Sequence, residues 1–290
     1  MSRRSRPERL SAFMNTPFIN RFPTEKLPDA GQSTPASQFT DLAPHYDELM
    51  QVVPYDSWAE YIELLFEIAA VKPKSILDCA CGTGNVSFEL ASLGYDVVGV
   101  DISAGMIGRA QEKSEMLSQA KASTPLPAQF IEADLSDFYL HQKFDAATCL
   151  YDSFNYILQP EKLLAAFECI AQHINPGGVF VFDMNAPWAF EANLFTQRNL
   201  DPKKNLHYAW RANFDESTRV CDVTMQFTRK TADGIEEFSE VHRERAYSRD
   251  EVETMLAQSG WNLIKTYDAF TMNQPHDRSE RWYFLARRAS

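Results

Sequence analysis

The sequence has no apolar stretch long enough to cross a bilayer, because its hydrophobic segments are short and interrupted by charges. No membrane role and no signal peptide are expected. Positive charge is also scarce: 28 Lys and Arg stand against 40 Asp and Glu, a formal balance of −12. Holding nucleic acid by broad electrostatics needs a basic face, so that class is disfavoured, although a local basic patch is not. Paired cysteine is lacking as well. Of the five cysteines only Cys79 and Cys81 lie close together, and no second pair or His-x-x-x-His segment completes a zinc set. No metal is expected, and reduced thiols in a cytoplasmic protein are. No internal repeat is present.

What remains is an ordinary globular composition, 44% hydrophobic and 23% charged over 290 residues. That is enough for one large α/β domain with a small appendage. Residues 1–40 carry Arg3, Arg4, Arg6 and Arg9 and then Pro, Ser and Thr without a period, which predicts a flexible extension. An organelle transit peptide is a weaker possibility, opposed by Glu8, Glu25 and Asp29.

From Asp41 onward the apolar spacing predicts helices over 55–70, 85–93, 104–120, 162–174 and 248–260. Strands are predicted over 75–80, 97–100, 129–133, 144–150, 179–184, 262–267 and 282–286. Alternation at this spacing implies a doubly wound, mostly parallel seven-stranded sheet. Ser248 with Glu251 three residues on, and Gly260 beyond, marks the last helix. Between 206 and 247 Val220, Val223, Met225 and Phe227 partly alternate, and Ala232-Asp233-Gly234 supplies a hairpin turn. An antiparallel insertion over 188–247 therefore divides a core of 41–187 plus 248–290.

Chemistry concentrates in Ile76-Leu77-Asp78-Cys79-Ala80-Cys81-Gly82-Thr83-Gly84-Asn85. An apolar strand runs into a turn with two glycines and then into a helix, at the strand end where open α/β sheets bind ligands. Asp101 ends the next strand, where a carboxylate can accept from both hydroxyls of a ribose. Together these point to an adenosine-containing cofactor. NAD is the runner-up, but Gly82-Thr83-Gly84-Asn85-Val86-Ser87 lacks the third small residue of a dinucleotide fingerprint. Asp78 would also repel a pyrophosphate, whereas it suits the ammonium of a methionine moiety. The sulfonium cofactor S-adenosyl-L-methionine fits better.

From about Asp41 to the C-terminus the chain resembles the class I S-adenosylmethionine-dependent methyltransferases. The resemblance runs through Ile76–Asn85, Val98–Ser103, Ile131–Leu135, Phe144–Asn155 and Asn175-Pro176-Gly177-Gly178. It implies that Gly82 and Gly84 shape the loop, Ala80 contacts the methionine moiety, Asp101 binds ribose and Ile102 lies against adenine. Asp134 would accept from the adenine amino group, or else be a solvated loop carboxylate, with Leu135 giving a backbone N–H. Leu150 would line the methionine end. One departure is Ala80, where the family often has glycine.

Tyr46-Asp47-Glu48-Leu49-Met50 and Pro54-Tyr55-Asp56-Ser57-Trp58 resemble the N-terminal lid of the branch with glycine and amino-sugar N-methyltransferases. Tyr46 is then either a cofactor contact or an aromatic staple. Candidates for an acceptor pocket are Tyr151, Asp152, Asn155, Tyr156, Asn185 and Trp188. Asp152-Ser153-Phe154-Asn155-Tyr156 is not the Asn/Asp-Pro-Pro-Tyr/Phe pattern of base- or glutamine-directed enzymes. His242 shares a strand face with Glu240 and Glu244, which makes it a candidate proton acceptor or else part of a solvated charged row, and Tyr151 is the other catalytic candidate. Arg243 and Arg245 face the other way, either to bind an anionic acceptor or to form surface ion pairs.

The expected activity is methyl transfer to a small-molecule acceptor, which includes amines, by in-line displacement. Two alternatives stay open: an RNA or protein methyltransferase docked by the arginine-rich start, and a cofactor-binding regulator without transfer activity. The oligomeric state is left open.

Overall fold

The computed structural model describes residues 38–120, 128–199, 201 and 204–290. The extension expected over 1–40 lies outside the described residues except for its last three.

A short helix α1 (Tyr46–Leu49) and a longer α2 (Tyr55–Ile68) precede the sheet. Then β1 (Ser75–Cys79), α3 (Asn85–Ser92), β2 (Asp96–Asp101), α4 (Ala104–Ala120) and β3 (Gln129–Glu132) follow, with β4 (Phe144–Cys149), α5 (Pro160–His173) and β5 (Ile174–Asn185) after them. The chain continues through α6 (Pro187–Glu191), β6 (Gln197–Asn199), β7 (Leu206–Asp215), β8 (Val220–Thr231) and β9 (Gly234–Arg245). It closes with α7 (Arg249–Gln258), β10 (Trp261–Asp268) and β11 (Arg281–Arg288).

Seven strands form one sheet in the order β10-β11-β5-β4-β1-β2-β3. Pairing is parallel except that β11 runs against both β5 and β10. Side chains alternate across it as the two-residue period requires. On β5, Phe180 and Phe182 join Phe167 of α5 and Leu256 of α7 on one face. Val179 and Val181 join Ile62 of α2, Leu90 of α3 and Ile107 of α4 on the other. Strand order reverses between β4 and β1, and the crevice at their carboxyl ends is where such sheets take ligands.

The second sheet, β6-β7-β8-β9, is antiparallel throughout. Cys221, Val223, Met225 and Phe227 of β8 form its buried face with Leu42 and Phe190. The expected hairpin lies where Thr231 pairs with Gly234, but β6 and α6 carry too little pattern to read from sequence. One other detail differs from expectation. Strand β5 starts at Ile174 rather than Val179, because Ile174 pairs with Phe144 and residues 175–178 bulge out before Val179 meets Ala146. Gly178 permits this, since a Cβ there would lie 2.6 Å from the Asp145 carbonyl oxygen. The capping box of α7 is as expected, with Ser248 and Glu251 bonded reciprocally.

Candidate active site

A cavity of about 1300 Å³ lies over the carboxyl ends of β1, β2 and β4, between the parallel sheet and the antiparallel one. Its first wall is the loop from Asp78 to Asn85. Asp101 braces this loop: Oδ2 accepts from the Gly82 N–H at 2.8 Å, and Oδ1 accepts from the Ser103 N–H at 2.8 Å. Gly84 has φ +80 and is packed so closely that a Cβ would stand 2.6 Å from the Phe130 ring. Packing against β3 demands this glycine, beyond the open approach that the sequence suggests. Ala80 has φ +52, a left-handed conformation costing roughly 1–2 kcal/mol in a residue with a Cβ. That is the physical reason for glycine at this place in the resembled family.

Asp78 is buried on the cavity's inner side. The Ser87 hydroxyl donates to Oδ2, and the Thr148 hydroxyl donates to Oδ1 at 2.8 Å. Burial pushes its carboxyl up to about 6, against the pull of those two hydroxyls. Ile102, which is 69% exposed, Asp134 and Leu135 line the far end. Asp134 Oδ1 also accepts from the Ser136 N–H and hydroxyl at 2.8 Å, so one carboxylate oxygen serves its own turn.

Tyr46 and Leu150 line the same cavity. Tyr46 owes its place to its neighbour: Asp47 Oδ1 accepts from Thr83 Oγ1 at 2.7 Å and from Asn85 Nδ2 at 3.1 Å, and Lys113 Nζ lies 3.0 Å from Asp47 Oδ2. The short helix α1 is thereby tied to the glycine loop. Burial raises the Tyr46 hydroxyl well above its ordinary range.

At the other end, Tyr151 and Asp152 take φ +67 and +55 in succession. Two strained residues in a row need a restraint, and Arg281 supplies it. Its guanidinium donates to Asp152 Oδ1 and Asp183 Oδ2, both at 2.6 Å, while Asp183 Oδ1 accepts from the Asp152 N–H at 3.0 Å. The guanidinium also lies 5.5 Å from the centre of the Tyr151 ring. Burial raises the Asp152 carboxyl, and Arg281 opposes that rise. Nearby Glu244, buried and facing Asp152, is raised well above its ordinary range, although Asn185 Nδ2 donates to it at 3.0 Å. Phe39, Trp58, Tyr156 and Phe270 complete a largely aromatic wall.

Three expectations for this end need correction. Asn155 does not line the cavity: its Nδ2 donates to the carbonyls of Asn185 and Arg245 at 3.3 and 2.9 Å, and its Oδ1 accepts from the Asn185 N–H at 2.9 Å. It is a bracket joining three segments. Trp188 is half-buried outside the lining, and Ala189 is the residue of α6 that reaches it. The Glu240–His242–Glu244 row is not solvated; all three are 3% exposed or less. His242 Nε2 lies 2.7 Å from Glu240 Oε2, and Nδ1 lies 3.1 Å from the Tyr156 hydroxyl. Both ring nitrogens are thus engaged, one by a carboxylate and the other by a cavity-lining hydroxyl. Asp152, Tyr156 and Asn185 do line the cavity, as does Tyr151. Arg243 pairs with exposed Asp222 at 2.7 Å, and Arg245 stacks over Tyr247.

Arg281 escaped the sequence reading. It opens the last strand, and only the pairing that sets Arg281 opposite Asn185 brings it to Asp183. We expect Arg281→Met to cost about 3–5 kcal/mol, because it leaves two carboxylates buried without a cation. Those carboxyls, then raised in the folded state, favour the fold below their unfolded values and lose that contribution as pH rises. Urea unfolding should therefore show a larger loss at pH 8 than at pH 5. Equal losses would mean that the side chain acts by packing alone.

The residues of the cavity fit a cofactor with an adenosine and an amino-acid end. Asp101 stands at the loop that Gly84 keeps tight, and buried Asp78 offers negative charge for an ammonium. Comparison with known proteins agrees. Residues 76–178 match the family described as methyltransferase domain. The Bacillus subtilis protein named as methyltransferase YqeM is 31% identical over 256 residues, covering 87% of this chain and 97% of that one. A dTDP-3-amino-3,6-dideoxy-alpha-D-glucopyranose N,N-dimethyltransferase of Streptomyces fradiae is 30% identical over 170 residues, 57% of this chain and 61% of its own. An S-adenosylmethionine-dependent methyltransferase structure from Clostridium acetobutylicum superposes with TM-score 0.75 at 26% identity, over 87% of this chain and 99% of that one. The chain therefore belongs to the S-adenosylmethionine-dependent methyltransferases, with S-adenosylmethionine as its cofactor.

Proposed function

We propose that this methyltransferase acts on an amine nitrogen of a small-molecule acceptor. The observation that carries the proposal is the pair of buried carboxyls, Asp152 and Glu244, set in an aromatic wall at the end of the cavity away from Asp101. An acceptor arriving as an ammonium is drawn to that end and then has to lose a proton to free its lone pair. Glu244 in its ionised form is the group suited to take it, since burial and the nearby Asp152 make that carboxylate unusually basic. The relative from Streptomyces fradiae, named for an amino sugar, supports the same chemistry.

The cofactor supplies a methyl group already activated on a sulfonium. Asp101 and the Ala80–Gly84 turn would hold its adenosine and methionine ends, and Asp78 would attract its ammonium. Tyr46, Trp58, Tyr151 and Tyr156 exclude water and keep the acceptor nitrogen in line. We take residues 188–247 as an insertion that covers the acceptor: Val223, Met225, His242 and Glu244 all reach the cavity from it. Residues 41–187 and 248–290 are then the cofactor-binding core. Among the described residues no helix is long and apolar enough to cross a membrane. The five unbridged cysteines suit a reducing, cytoplasmic setting.

Two measurements test this. In a panel of small acceptors, amines should consume S-adenosylmethionine while matched alcohols stay at background, and Glu244→Gln should lower kcat by about 10²–10⁴ with cofactor affinity kept. Full turnover in that variant, or preferred alcohols, would refute the assignment. Cofactor binding should also follow pH. Asp78 carries charge only as pH passes about 6, and the charged form is the one that attracts an ammonium. Without ligand, that raised value means Asp78's contribution to the fold falls as pH rises through the same range. Affinity for S-adenosylhomocysteine should rise by up to about tenfold from pH 5 to pH 7, and Asp78→Asn should flatten the rise. A profile identical in wild type and variant would remove Asp78 from the ammonium's site.

A further inference from the structure

Glu240 belongs to the antiparallel sheet, yet its side chain serves the other end of the chain. Oε2 accepts from the Phe39 N–H at 3.0 Å and from His242 Nε2 at 2.7 Å. Oε1 accepts from the Asp41 N–H at 2.7 Å and the Leu42 N–H at 3.0 Å. Four donors thus converge on one buried carboxylate, which has no donor of its own to offer. With the carboxylate accepting, Nε2 of His242 carries a proton, and Nδ1 meets the Tyr156 hydroxyl. Phe39 is held at φ +63, with its ring 4.5 Å from His242, 5.3 Å from Tyr156 and 6.2 Å from Tyr46. Gln38, Phe39, Thr40 and Leu42 all line the cavity. Backbone strain at Phe39, without a helix or strand to impose it, needs such an anchor.

We propose that Glu240 is a positioning residue: its carboxylate latches residues 39–42 onto β9 and so makes Phe39 a fixed wall of the acceptor end. His242 is the spacer of the latch, bridging Glu240 to Tyr156, and this accounts for a buried histidine with both nitrogens engaged. The acceptor pocket is then assembled across a sequence separation of 201 residues, and its size depends on whether the strap is latched. What the wall selects rests on the amine reading above, but the latch is tested without any acceptor.

The test is hydrogen–deuterium exchange on the full chain, with wild type, Glu240→Gln and Asp41→Pro. Glutamine keeps the shape but replaces one acceptor oxygen with a donor, so donors of the strap lose their partner. Proline at exposed Asp41 removes one latch donor from the strap side and touches no core residue. In both variants the amides of Phe39 and Leu42 should exchange at least about tenfold faster, with those of β8 and β9 unchanged. S-adenosylhomocysteine should also leave several-fold faster, as stopped-flow release would show. Unchanged exchange over 39–42 would overturn the latch, and so would faster exchange spread evenly through β8 and β9, the mark of a merely structural carboxylate. Unchanged ligand release from a loosened strap would overturn its place as a cavity wall. Failure of every amine to be methylated would leave these readouts standing and would count against the acceptor class alone.

Discussion

Arg281 sits between Asp152 and Asp183, 2.6 Å from each, where burial alone would force those carboxyls to take up protons. One guanidinium shared by two carboxylates holds the left-handed turn at Tyr151 and Asp152 in place. It also joins β11, the strand added antiparallel at β5, to the loop that leaves β4. Break this tie and this end of the cavity has neither its shape nor its charge. A buried ion triad contributes little net stability, but leaving it half-made is costly. Its value here is geometric: it fixes which side chains face the cavity.

The same rule of compensation runs through the molecule. Asp101 is answered by two backbone N–H groups, Asp78 by two hydroxyls, Asp47 by Lys113 and two side-chain donors, and Glu240 by three N–H groups and His242. Glu244 is answered less fully. Its partners Asn185 and Tyr156 compensate it only in part, and Asp152 pushes it further up. A group kept short of full compensation in an aromatic-walled cavity is a candidate for proton exchange. Methyl transfer needs little beyond that and a sulfonium held in line.

The glycine-loop end of the cavity was legible in the sequence because its signals are local. A strand, a turn with two glycines and a carboxylate ending the next strand lie within about twenty-five residues, and their spacing alone sets their meeting point. Acceptor candidates read from two segments fared unevenly. Asp152, Tyr156 and Asn185 reach the cavity, but Asn155 spends its amide on backbone groups and Trp188 is set aside by the short turn of α6. No spacing rule distinguishes Asn155 from Tyr156 one residue on. Arg281 and the Glu240 latch were beyond reach for a different reason. Their partners lie 129 and 201 residues away, and only strand pairing and the seating of the second sheet bring them together. Ala80 shows the reverse: its departure from glycine is plain in the sequence, while its left-handed φ is visible only in the fold.

The central claim is that Asp101 and the loop it braces hold an adenosyl sulfonium cofactor rather than a dinucleotide. Calorimetric titration of the wild type and Asp101→Ala with S-adenosylmethionine and S-adenosylhomocysteine, and with NAD as control, tests it most directly. The account predicts binding of the first two, none of NAD, and an affinity weakened by roughly tenfold or more when the carboxylate is removed. Binding of NAD, or undiminished affinity in the variant, would contradict it.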